Sequence, residues 1–497
     1  MKKLLKRLCS AMVAAVMVMT MAPAAFAADG GAQFQNGPYL LAPKTNSMVV
    51  VWESTEKVSA TIAYGTDESK LCDPIKVEID ADAPDFKGSK MNLFHYKLDN
   101  LTPGTRYYYE VKLEGGATCK ASFKTLSEKP DQIRLITLSD SHIFATRAEL
   151  DQAIKEFDPD LLLHCGDMVE GTGAQAEQFS FWFQGKVEND YIHSYPVVYS
   201  SGNHDQGGVY FNTYVYSIQD EEYGAEVEGD SSFNYAGLHI VTMNSNPWGL
   251  FQMNSEATGQ KADAATIKTI DNAMNWLKKD LATDAAKNAD FRLIFMHHPV
   301  SDAYTKRYIP AVIEPGKVDL LLSGHTHSYA RAVSSNPAVG AGTIYLTHQD
   351  ARTYNKKGDF FYITSTPGSG VLDVKNYGAT AAGQESKVAN ETLVAKDKQQ
   401  LSWSDISITP STVLYNGEVT VTAKVTNNGK GLAAAVIPVV DNGTTRYLYK
   451  FEDGIVTLDP GKSATLTGTL RMETLGTHTL KLADKTVSVN VKYRPTT

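Results

Sequence analysis

The chain has 497 residues, of which 42% are hydrophobic and 21% charged, with a net charge of −9 at pH 7. At roughly 150 residues per domain, this length predicts about three domains, each large enough to bury its own core. Lysine and arginine are not concentrated anywhere beyond the extreme N-terminus, which argues against a nucleic-acid-binding surface and a polybasic membrane patch. Ordinary glycine and proline contents exclude collagen-like and low-complexity chains.

Residues 1–27 have the pattern of a secretory signal peptide. A basic start precedes an apolar run from Ala11 to Met21, and Ala25-Phe26-Ala27 offers the small-x-small pattern that a signal peptidase needs. The run is shorter than the roughly 18 apolar residues of a membrane-spanning helix, and no later stretch reaches that length. We therefore expect cleavage before Ala28 and a secreted, extracellular protein with no transmembrane anchor.

Residues 36–127 are predicted to form a β domain. Runs of β-branched and aromatic residues indicate strands at Met48–Trp52, Ala60–Tyr64 and Arg106–Val111. The segment from Leu98 to Tyr107 is typical of the corner of a fibronectin-type sandwich, where a Leu-x-Pro turn leads into a Tyr-rich strand.

Three cysteines remain after the predicted cleavage. An oxidising location permits Cys72 and Cys119 to pair, and two separate buried thiols fit the sequence equally well. Cys165 follows an apolar strand and is expected to be a buried, inert thiol.

After Pro130 the pattern changes to alternating strands and helices, which predicts an α/β domain over residues 131–375. The predicted strands are short apolar runs, typical of strands buried on both faces: Ile133–Leu138, Asp160–His164, Tyr195–Tyr199, Phe291–Met296, Val318–Leu322 and Gly342–Leu346. One helix is expected after Thr146, with Glu149 at the capping-box spacing. Another is expected over Ala265–Leu281, with an apolar face of Ile267, Ile270, Met274 and Leu277.

The last part of the chain returns to a β pattern. Residues 376–402 are rich in Ala, Gln, Lys and Glu, which predicts a linker. Apolar and polar residues then alternate, which predicts a second β sandwich over residues 403–495.

Each predicted strand of the α/β domain ends in residue types that ligate metals. These ends are Asp140-Ser141-His142, Gly166-Asp167, Gly202-Asn203-His204-Asp205, His297-His298 and Gly324-His325-Thr326-His327. The carboxyl ends of strands in an open α/β sheet converge on one crevice, so these side chains can meet. Oxygen and imidazole donors without a thiolate suit Fe, Mn or Zn. The glycine before Asp167, Asn203 and His325 suits a chain that turns sharply as it leaves a strand.

Seven donors are enough for two metals that share one bridging carboxylate. Two metals about 3.5–4 Å apart polarise a phosphoryl oxygen and activate a water for in-line attack.

The motif order D-x-H, GD-x-x-E, GNHD, HH and GHxH resembles the calcineurin-like metallophosphoesterase superfamily. The N-terminal β domain, Ser232–Tyr235 with His239, Trp276–Leu281 and Ser323–Arg331 are similar to the purple acid phosphatase branch. The resemblance covers about residues 36–372. We therefore expect a multidomain protein with a central α/β metallophosphatase sandwich, built of two mixed sheets flanked by helices. It would lie between an N-terminal fibronectin-III-like and a C-terminal Ig-like β sandwich.

The resemblance implies two metal sites that share the carboxylate of Asp167. The first would consist of Asp140, His142, Asp167 and His327. The second would consist of Asp167, Asn203, His297 and His325.

The resemblance also implies the chemistry around the metals. A hydroxide on or between them would attack phosphorus directly, without a covalent phosphoenzyme. His204 would stabilise the transition state or protonate the leaving alcohol, with Asp205 orienting it. His298, Tyr329 and Arg331 are candidate substrate contacts, and structural roles are the alternative for all three.

One position departs from the purple branch. The branch has a Tyr three residues after the bridging Asp and a Gly where this chain has His142, whereas this chain has Glu170 at the Tyr position. We expect no purple colour, since the Tyr–iron bond is missing, and Fe, Mn, Zn or mixtures stay open. Glu170 either supports the metal ligands or is a solvated loop carboxylate.

The favoured function is an exported dinuclear phosphatase of phosphate monoesters. The alternatives are a phosphodiesterase or nucleotide-cleaving enzyme on the same scaffold, and a surface-binding protein whose α/β domain is catalytically dead. The 5′-nucleotidase variant is disfavoured because a small β domain stands where its substrate domain usually follows. The C-terminal sandwich would contact cell wall, carbohydrate or another protein, or only cap the catalytic domain.

Overall fold

The computed structural model describes most of the chain between residues 31 and 493. The described residues are 31–81, 85–86, 89–142, 147–171, 176–184, 190–205, 210–249, 263–300, 308–313, 318–333, 343–349, 359–378, 391–394, 400–429, 433–435, 437–448, 456–458 and 460–493. The predicted signal peptide, residues 1–27, and Thr146 lie outside them.

The N-terminal region is a β domain. Its strands are β1 (Phe34–Leu41), β2 (Met48–Ser54), β3 (Ala60–Gly65), β4 (Ile75–Val77), β5 (Asp85–Phe86), β6 (Ser89–Lys90), β7 (Leu93–Leu98), β8 (Arg106–Leu113) and β9 (Thr118–Lys124). Sheets of order β1-β2-β7 and β4-β3-β8-β9 pack around a core that includes Trp52 and Tyr109. The hydroxyl of Tyr107 accepts the N–H of Thr102 at 2.9 Å, which closes the corner that the sequence predicts.

Two six-stranded sheets form the central domain. Their strands are β10 (Ile133–Leu138), β11 (Leu161–His164), β12 (Val197–Tyr199), β13 (Ser231–Tyr235), β14 (Leu238–Thr242), β15 (Phe291–Phe295), β16 (Leu320–Ser323), β17 (Ala330–Val333), β18 (Ile344–Thr347), β19 (Asp359–Ser365), β20 (Val371–Gly378) and β21 (Glu391–Val394). The first sheet has the order β12-β11-β10-β19-β20-β21, and the second has the order β13-β14-β15-β16-β18-β17. Both are mixed, with parallel strands at the positions that carry the predicted ligands.

Helices cover the outer faces of the two sheets. They are α1 (Arg147–Phe157), α2 (Ala176–Phe183), α3 (Ser217–Tyr223), α4 (Ala264–Asp280), α5 (Asp284–Asn288) and α6 (Ile309–Val312), with a 3₁₀ turn at Asp190–His193 and a π-helix at Asn212–Tyr216. One core lies between the sheets, where apolar side chains of both meet. A second core lies under α1 and α2, and a third under α4. The expected layers of two mixed sheets flanked by helices are therefore present.

Helix α4 corrects the predicted apolar face. Asp263 caps its N-terminus by accepting the N–H of Thr266, and Ile270, Ala273, Trp276 and Leu277 are buried. Ile267 is instead 48% exposed. The buried stripe of this helix therefore begins at Ile270, one turn later than predicted.

The C-terminal region contains only strands among its described residues. They are β22 (Leu401–Thr409), β23 (Thr412–Leu414), β24 (Glu418–Asn427), β25 (Ala433–Ala435), β26 (Ile437–Asp441), β27 (Thr444–Leu448), β28 (Val456–Leu458), β29 (Ser463–Arg471), β30 (Gly476–Leu482) and β31 (Lys485–Lys492). Sheets of order β22-β24-β29 and β23-β31-β30-β26-β27 enclose a core of residues from this region alone. Alternate residues of β24 are buried, as the period-two pattern predicts.

The predicted linker over residues 376–402 is wrong in part. Strand β20 continues to Gly378, Glu391–Val394 forms β21, which pairs with β20 at the edge of the first central sheet, and β22 begins at Leu401. Only four residues form β21, inside a segment rich in Ala, Gln, Lys and Glu, so composition does not reveal the strand.

The three described cysteines are free thiols. Cys119 is buried and Cys72 is exposed, so the two thiols are separate in the structure and the expected burial is wrong for Cys72. Cys165 is buried, and burial holds the pKa of its thiol well above the usual value, in agreement with an inert thiol. No helix in the described part of the chain is both long and apolar enough to cross a membrane.

Candidate metal centre

The predicted ligands meet where strands of the two central sheets end. Asp140 and His142 follow β10, Asp167 follows β11, and Asn203 follows β12. His297 follows β15, and His325 and His327 follow β16. Two groups of metal-ligand atoms result, Asp140, His142, Asp167 and His327 in one and Asp167, His297 and His325 in the other. Asp167 belongs to both, which is the arrangement that the resemblance implies.

The first group is built around Asp140 and two imidazoles. Nε2 of His327 lies 3.2 Å from Oδ1 of Asp140 and 3.3 Å from Nε2 of His142. Nδ1 of His142 lies 3.0 Å from the carbonyl oxygen of Val169. A carbonyl can only accept, so Nδ1 carries the proton and Nε2 faces the group as a lone-pair donor.

The second group is built around His297. Its Nε2 lies 3.1 Å from Oδ2 of Asp167, 3.1 Å from Oδ1 of Asn203 and 3.2 Å from Nδ1 of His325. Nδ1 of His297 donates its proton to the carbonyl of Cys165 at 2.9 Å. Nε2 of this ring is therefore the nitrogen that faces the other members of the group. Asn203 therefore lies with the group to which the sequence assigns it.

The charges of these groups are strongly coupled. Burial opposes ionisation of Asp140 and Asp167, but the adjacent imidazoles outweigh it and hold the pKa of both carboxyls below the usual value. Burial and the neighbouring His297 lower the pKa of His325 to about 4, which keeps that ring neutral. Burial opposes protonation of His297, but the adjacent Asp167 outweighs it and raises the pKa of His297 to about 9. Ionised carboxylates and neutral imidazoles are the forms that bind cations, so the donor set fits two metal ions when His297 gives up this proton on binding.

The backbone adopts left-handed conformations at five ligand residues. The φ angles are 52° at Asp140, 45° at His142, 57° at Asp167, 73° at His325 and 52° at His327. Such angles cost free energy in residues other than glycine and persist only where the surrounding structure imposes them. Here they turn the chain back at the strand ends so that the side chains converge.

The three glycines that precede ligands are needed for two different reasons. Gly166 has a φ of 95°, the sharp turn that the sequence predicts. Gly202 and Gly324 are needed because other atoms lie too close. A Cβ on Gly202 would be 2.0 Å from Oδ1 of Asp167, and one on Gly324 would be 2.2 Å from Oδ2 of Asp140. At Gly202 and Gly324 the prediction of a sharp turn is wrong. Glycine is needed there because neighbouring side chains pack closely against the backbone.

Asp205 does not orient His204, and that prediction is corrected. Its buried carboxylate accepts N–H groups from two loops, at 2.7 Å from Asp167, 2.8 Å from Met168, 3.3 Å from Val169 and 2.8 Å from Gly202. Burial and the nearby Asp167 raise the pKa of Asp205 to about 7. Asp205 therefore joins the loop of the shared ligand to the loop of Asn203.

His204 is oriented by a main-chain carbonyl. Its N–H donates to Oδ1 of Asp167 at 2.8 Å, and its Nδ1 lies 2.5 Å from the carbonyl oxygen of Glu170. The ring stands edge-on to His142, with 5.1 Å between the ring centroids. Nδ1 must carry the proton in this contact, which leaves Nε2 as the nitrogen available to a bound substrate.

Glu170 lies beside a ligand residue. One carboxylate oxygen, Oε2, lies 3.0 Å from Nδ1 of His142, on the side of the ring opposite the metal-facing Nε2. The proton of Nδ1 points at the carbonyl of Val169, and Oε2 accepts no hydrogen bond in the described part of the chain. Support of the metal ligands by Glu170 therefore stays a prediction, which would act through the charge of the carboxylate.

Two of the three candidate substrate contacts are packed against other parts of the protein. His298 is fully buried, its Nδ1 lies 2.9 Å from Oγ of Ser245, and its ring packs 4.6 Å from that of His325. Tyr329 packs against the core between the sheets near Phe361. The metal-ligand residues are buried to a similar degree, so substrate contact by His298 or Tyr329 stays a prediction. The side chain of Arg331 lies outside the described part of the chain.

Sequence reasoning missed several residues that hold the ligand loops. His164 lies 3.0 Å from Oγ of Ser141 and accepts the N–H of Gly166. The amide of Asn246 donates to the carbonyl of Gly202, and the amide oxygen of Gln178 accepts from the loop after Val169. His164 ends a strand, which is a detectable signal, whereas the other two lie far from any motif.

Comparisons with known proteins agree with this geometry. A profile described as calcineurin-like phosphoesterase matches residues 133–329, and one described as the purple acid phosphatase N-terminal domain matches residues 38–125. No curated protein sequence matches the chain.

Solved structures are similar in fold at low identity. The structure of PhoD has a TM-score of 0.50 and 13% identity, over 73% of this chain and 90% of that one. A conserved uncharacterized protein from Streptococcus pneumoniae TIGR4, a predicted phosphoesterase, has a TM-score of 0.26 and 10% identity over 53% of this chain and 98% of its own. Only the first is similar enough to support the fold.

The two mixed sheets and the paired donor groups at their strand ends agree with the match of residues 133–329 to calcineurin-like phosphoesterases, a fold that typically binds two metal ions. The chain contains a calcineurin-like phosphoesterase domain preceded by a purple acid phosphatase N-terminal domain. The resemblance read from the five motifs is thereby confirmed.

Proposed function

We propose that this protein is an exported, dinuclear metal-dependent phosphatase that hydrolyses phosphate monoesters. The observation that carries the proposal is the pair of donor groups that share Asp167, with His204 bonded to the same carboxylate through its N–H. The match of residues 38–125 to the N-terminal domain of acid phosphatases supports monoesters as the substrate class.

The metals would supply an activated water and a positive charge for the phosphate oxygens. Asp140, His142, Asp167 and His327 would hold one ion, and Asp167, Asn203, His297 and His325 the other. The protonated Nδ1 of His204, held by the carbonyl of Glu170, fixes the ring so that Nε2 is free to donate to the leaving oxygen. Water would attack phosphorus directly, without a covalent phosphoenzyme.

The metal identities we propose are Fe, Mn or Zn. The donor set contains carboxylate, amide and imidazole groups and no thiolate, which suits these ions. Glu170 stands where the purple branch has its Tyr ligand, so we expect the loaded protein to be colourless in the visible charge-transfer region.

A paired assay tests the proposal. The protein is purified without chelator, supplied separately with Fe, Mn or Zn, and given an aryl phosphate monoester or the matching diester. Faster monoester turnover is the expected result. Faster diester turnover would replace the proposal with the phosphodiesterase alternative, and no turnover with metal bound would favour a surface-binding protein.

His204→Ala tests the assigned role of that residue. We expect the variant to keep its metal and to lose about two to four orders of magnitude in kcat, the range for a positioned acid–base group. Metal content by elemental analysis is measured beside the rate. A variant with unchanged kcat at full metal content would exclude His204 from the reaction.

Secretion and a surface contact complete the proposal. The signal-peptide pattern of residues 1–27 supports export, and N-terminal sequencing of protein from the culture medium should begin at Ala28.

We propose that the C-terminal region contacts cell wall or carbohydrate. Four of the six exposed large hydrophobic residues in the described part of the chain, namely Leu414, Tyr415, Leu475 and Tyr493, lie near one end of its larger sheet. Binding to insoluble polysaccharide should fall in a Tyr415→Ser, Tyr493→Ser double variant with unchanged activity.

A further inference from the structure

The loop that orients His204 is itself held by one side chain. Oε1 of Gln178, on helix α2, accepts the N–H of Glu170 at 3.1 Å and the N–H of Gly171 at 2.7 Å. The carbonyl of Glu170, on the same stretch of chain, lies against Nδ1 of His204.

We propose that Gln178 is a positioning residue for His204, acting through the peptide bond between Glu170 and Gly171. The role rests on the proposed function, since it concerns the residue that would assist the leaving group. Gln178 belongs to none of the sequence motifs and to neither of the two donor groups, so no part of the ligand assignment includes it.

The peptide bond makes this coupling direct. The carbonyl of Glu170 and the N–H of Gly171 belong to one planar, trans peptide unit, so they point in opposite directions. An acceptor that fixes the N–H of Gly171 on one side therefore aims the carbonyl of Glu170 at His204 on the other. Without that acceptor, the peptide unit is free to rotate and the carbonyl loses its direction.

The packing of helix α2 fixes the position of Gln178. Phe179, Trp182 and Phe183 on this helix are fully buried in the core under the first sheet. Gly171 lets the loop approach closely, because a Cβ there would be 2.6 Å from Nε2 of Gln178. An amide oxygen has two lone pairs, so it accepts both N–H groups at once.

The contact with Glu170 decides which ring nitrogen of His204 faces the substrate. While the carbonyl of Glu170 accepts from Nδ1, Nε2 of His204 faces the substrate. In the imidazolium form Nε2 gives its proton to the leaving oxygen, and the ring is left neutral with its remaining proton on Nδ1. When the carbonyl turns away, the ring populates other orientations, and the neutral ring populates both tautomers. The rate should then fall most for substrates whose leaving group departs poorly without a proton.

Gln178→Leu removes the hydrogen-bond acceptor with a side chain of similar size. Gln178→Glu keeps an acceptor oxygen at the same place. We expect Gln178→Leu to lower kcat about 10- to 100-fold on an alkyl phosphate such as glycerol 2-phosphate. On p-nitrophenyl phosphate, whose leaving group needs little protonation, the fall should be less than about threefold. Gln178→Glu should restore the alkyl rate to within about threefold, with KM and metal content unchanged in both variants.

Phe181→Leu is the matched control on the same helix, because Phe181 is 49% exposed. It should leave both substrates unaffected. An equal fall on the two substrates, or a fall accompanied by loss of metal or a lower Tm, would overturn the positioning role.

A second readout does not depend on turnover. The ¹⁵N shifts of the His204 ring, in zinc-loaded protein with labelled histidine and assigned with His204→Gln, should show protonated Nδ1 in the native protein and in Gln178→Glu. In Gln178→Leu the shifts should move towards a mixture of tautomers. Unchanged shifts would overturn the proposal. A native protein without phosphatase activity but with the expected shifts would defeat the proposed function alone.

Discussion

The two central sheets contribute differently to the metal centre. The loops of the first sheet, which carry Asp140, His142, Asp167 and Asn203, are tied to one another by side chains of their own half. Asp205 links the second loop to the third, and His164 links the first to the second.

The loops of the second sheet instead rest on the first. His297 donates to the carbonyl of Cys165, and the N–H of His325 donates to both oxygens of Asp140 at 3.0 Å. The first half is thus a scaffold and the second half docks onto it. Damage to the first half should spread to both metals, whereas damage to the second should stay local.

The largest effect is expected from Asp167→Asn. The amide that replaces the shared carboxylate is a weaker, neutral ligand, so both metals and all activity should be lost together. The measurement is metal content by elemental analysis beside turnover of a phosphate monoester.

His325→Ala is the matched variant in the second half. Since His325 belongs to one donor group only, this variant should retain about one metal per chain. Equal metal contents in the two variants would contradict the shared position of Asp167 between the two donor groups.

Asp205→Ala is expected to be next in size. It leaves buried N–H groups of two loops without an acceptor, at a cost of about 1–3 kcal/mol for each group left unsatisfied. The free energy of unfolding should fall by about 3 kcal/mol or more, with weaker binding of both metals.

Asp205→Asn, which keeps one acceptor oxygen, should be intermediate. Denaturant unfolding and metal titration check both variants. A lower kcat with normal stability and metal content would instead restore the hypothesis that Asp205 orients His204.

The smallest effect is expected from Glu170→Gln. The carboxylate lies behind His142 and is 41% exposed, so solvent weakens its influence. Affinity for the metal of the first group should fall about tenfold, at the low end for residues that support a ligand. Competition with a chelator of known affinity measures this change.

Glu221→Gln, at an exposed residue of helix α3, is the control and should change nothing. A Glu170→Gln variant indistinguishable from this control would reduce Glu170 to a solvated carboxylate.

Strand ends were the most predictable part of the molecule. Ile133–Leu138 is a strand at the predicted bounds, and the other five predicted strands of the domain are present within two residues at each end. Each is a run of apolar residues closed by polar ones, so local composition suffices to locate both the strand and the donor that follows it. Strand β21 was not predicted because only four residues form it, within a segment whose composition indicates a linker, and its place at the sheet edge comes from pairing with β20.

Contacts between loops were the least predictable part. The sequence neighbours of Asp205 suggested a bond to His204, but its actual partners are main-chain N–H groups of a loop 36 to 38 residues earlier and of Gly202. Main-chain donors are the same at every residue, so no side-chain pattern marks them.

The sequence by itself indicated which side chains gather at one crevice, because each candidate donor directly follows a strand and parallel strands deliver their ends to the same edge. The division of these donors around Asp167 came from the resemblance to calcineurin-like metallophosphoesterases. Only the tertiary structure decided what holds them there. The roles of Asp205, Gln178 and Glu170, the burial of His298 and the need for Gly202 and Gly324 all depend on atoms brought together by the docking of one sheet on the other. Such contacts follow from three-dimensional packing, which no local pattern of residues records.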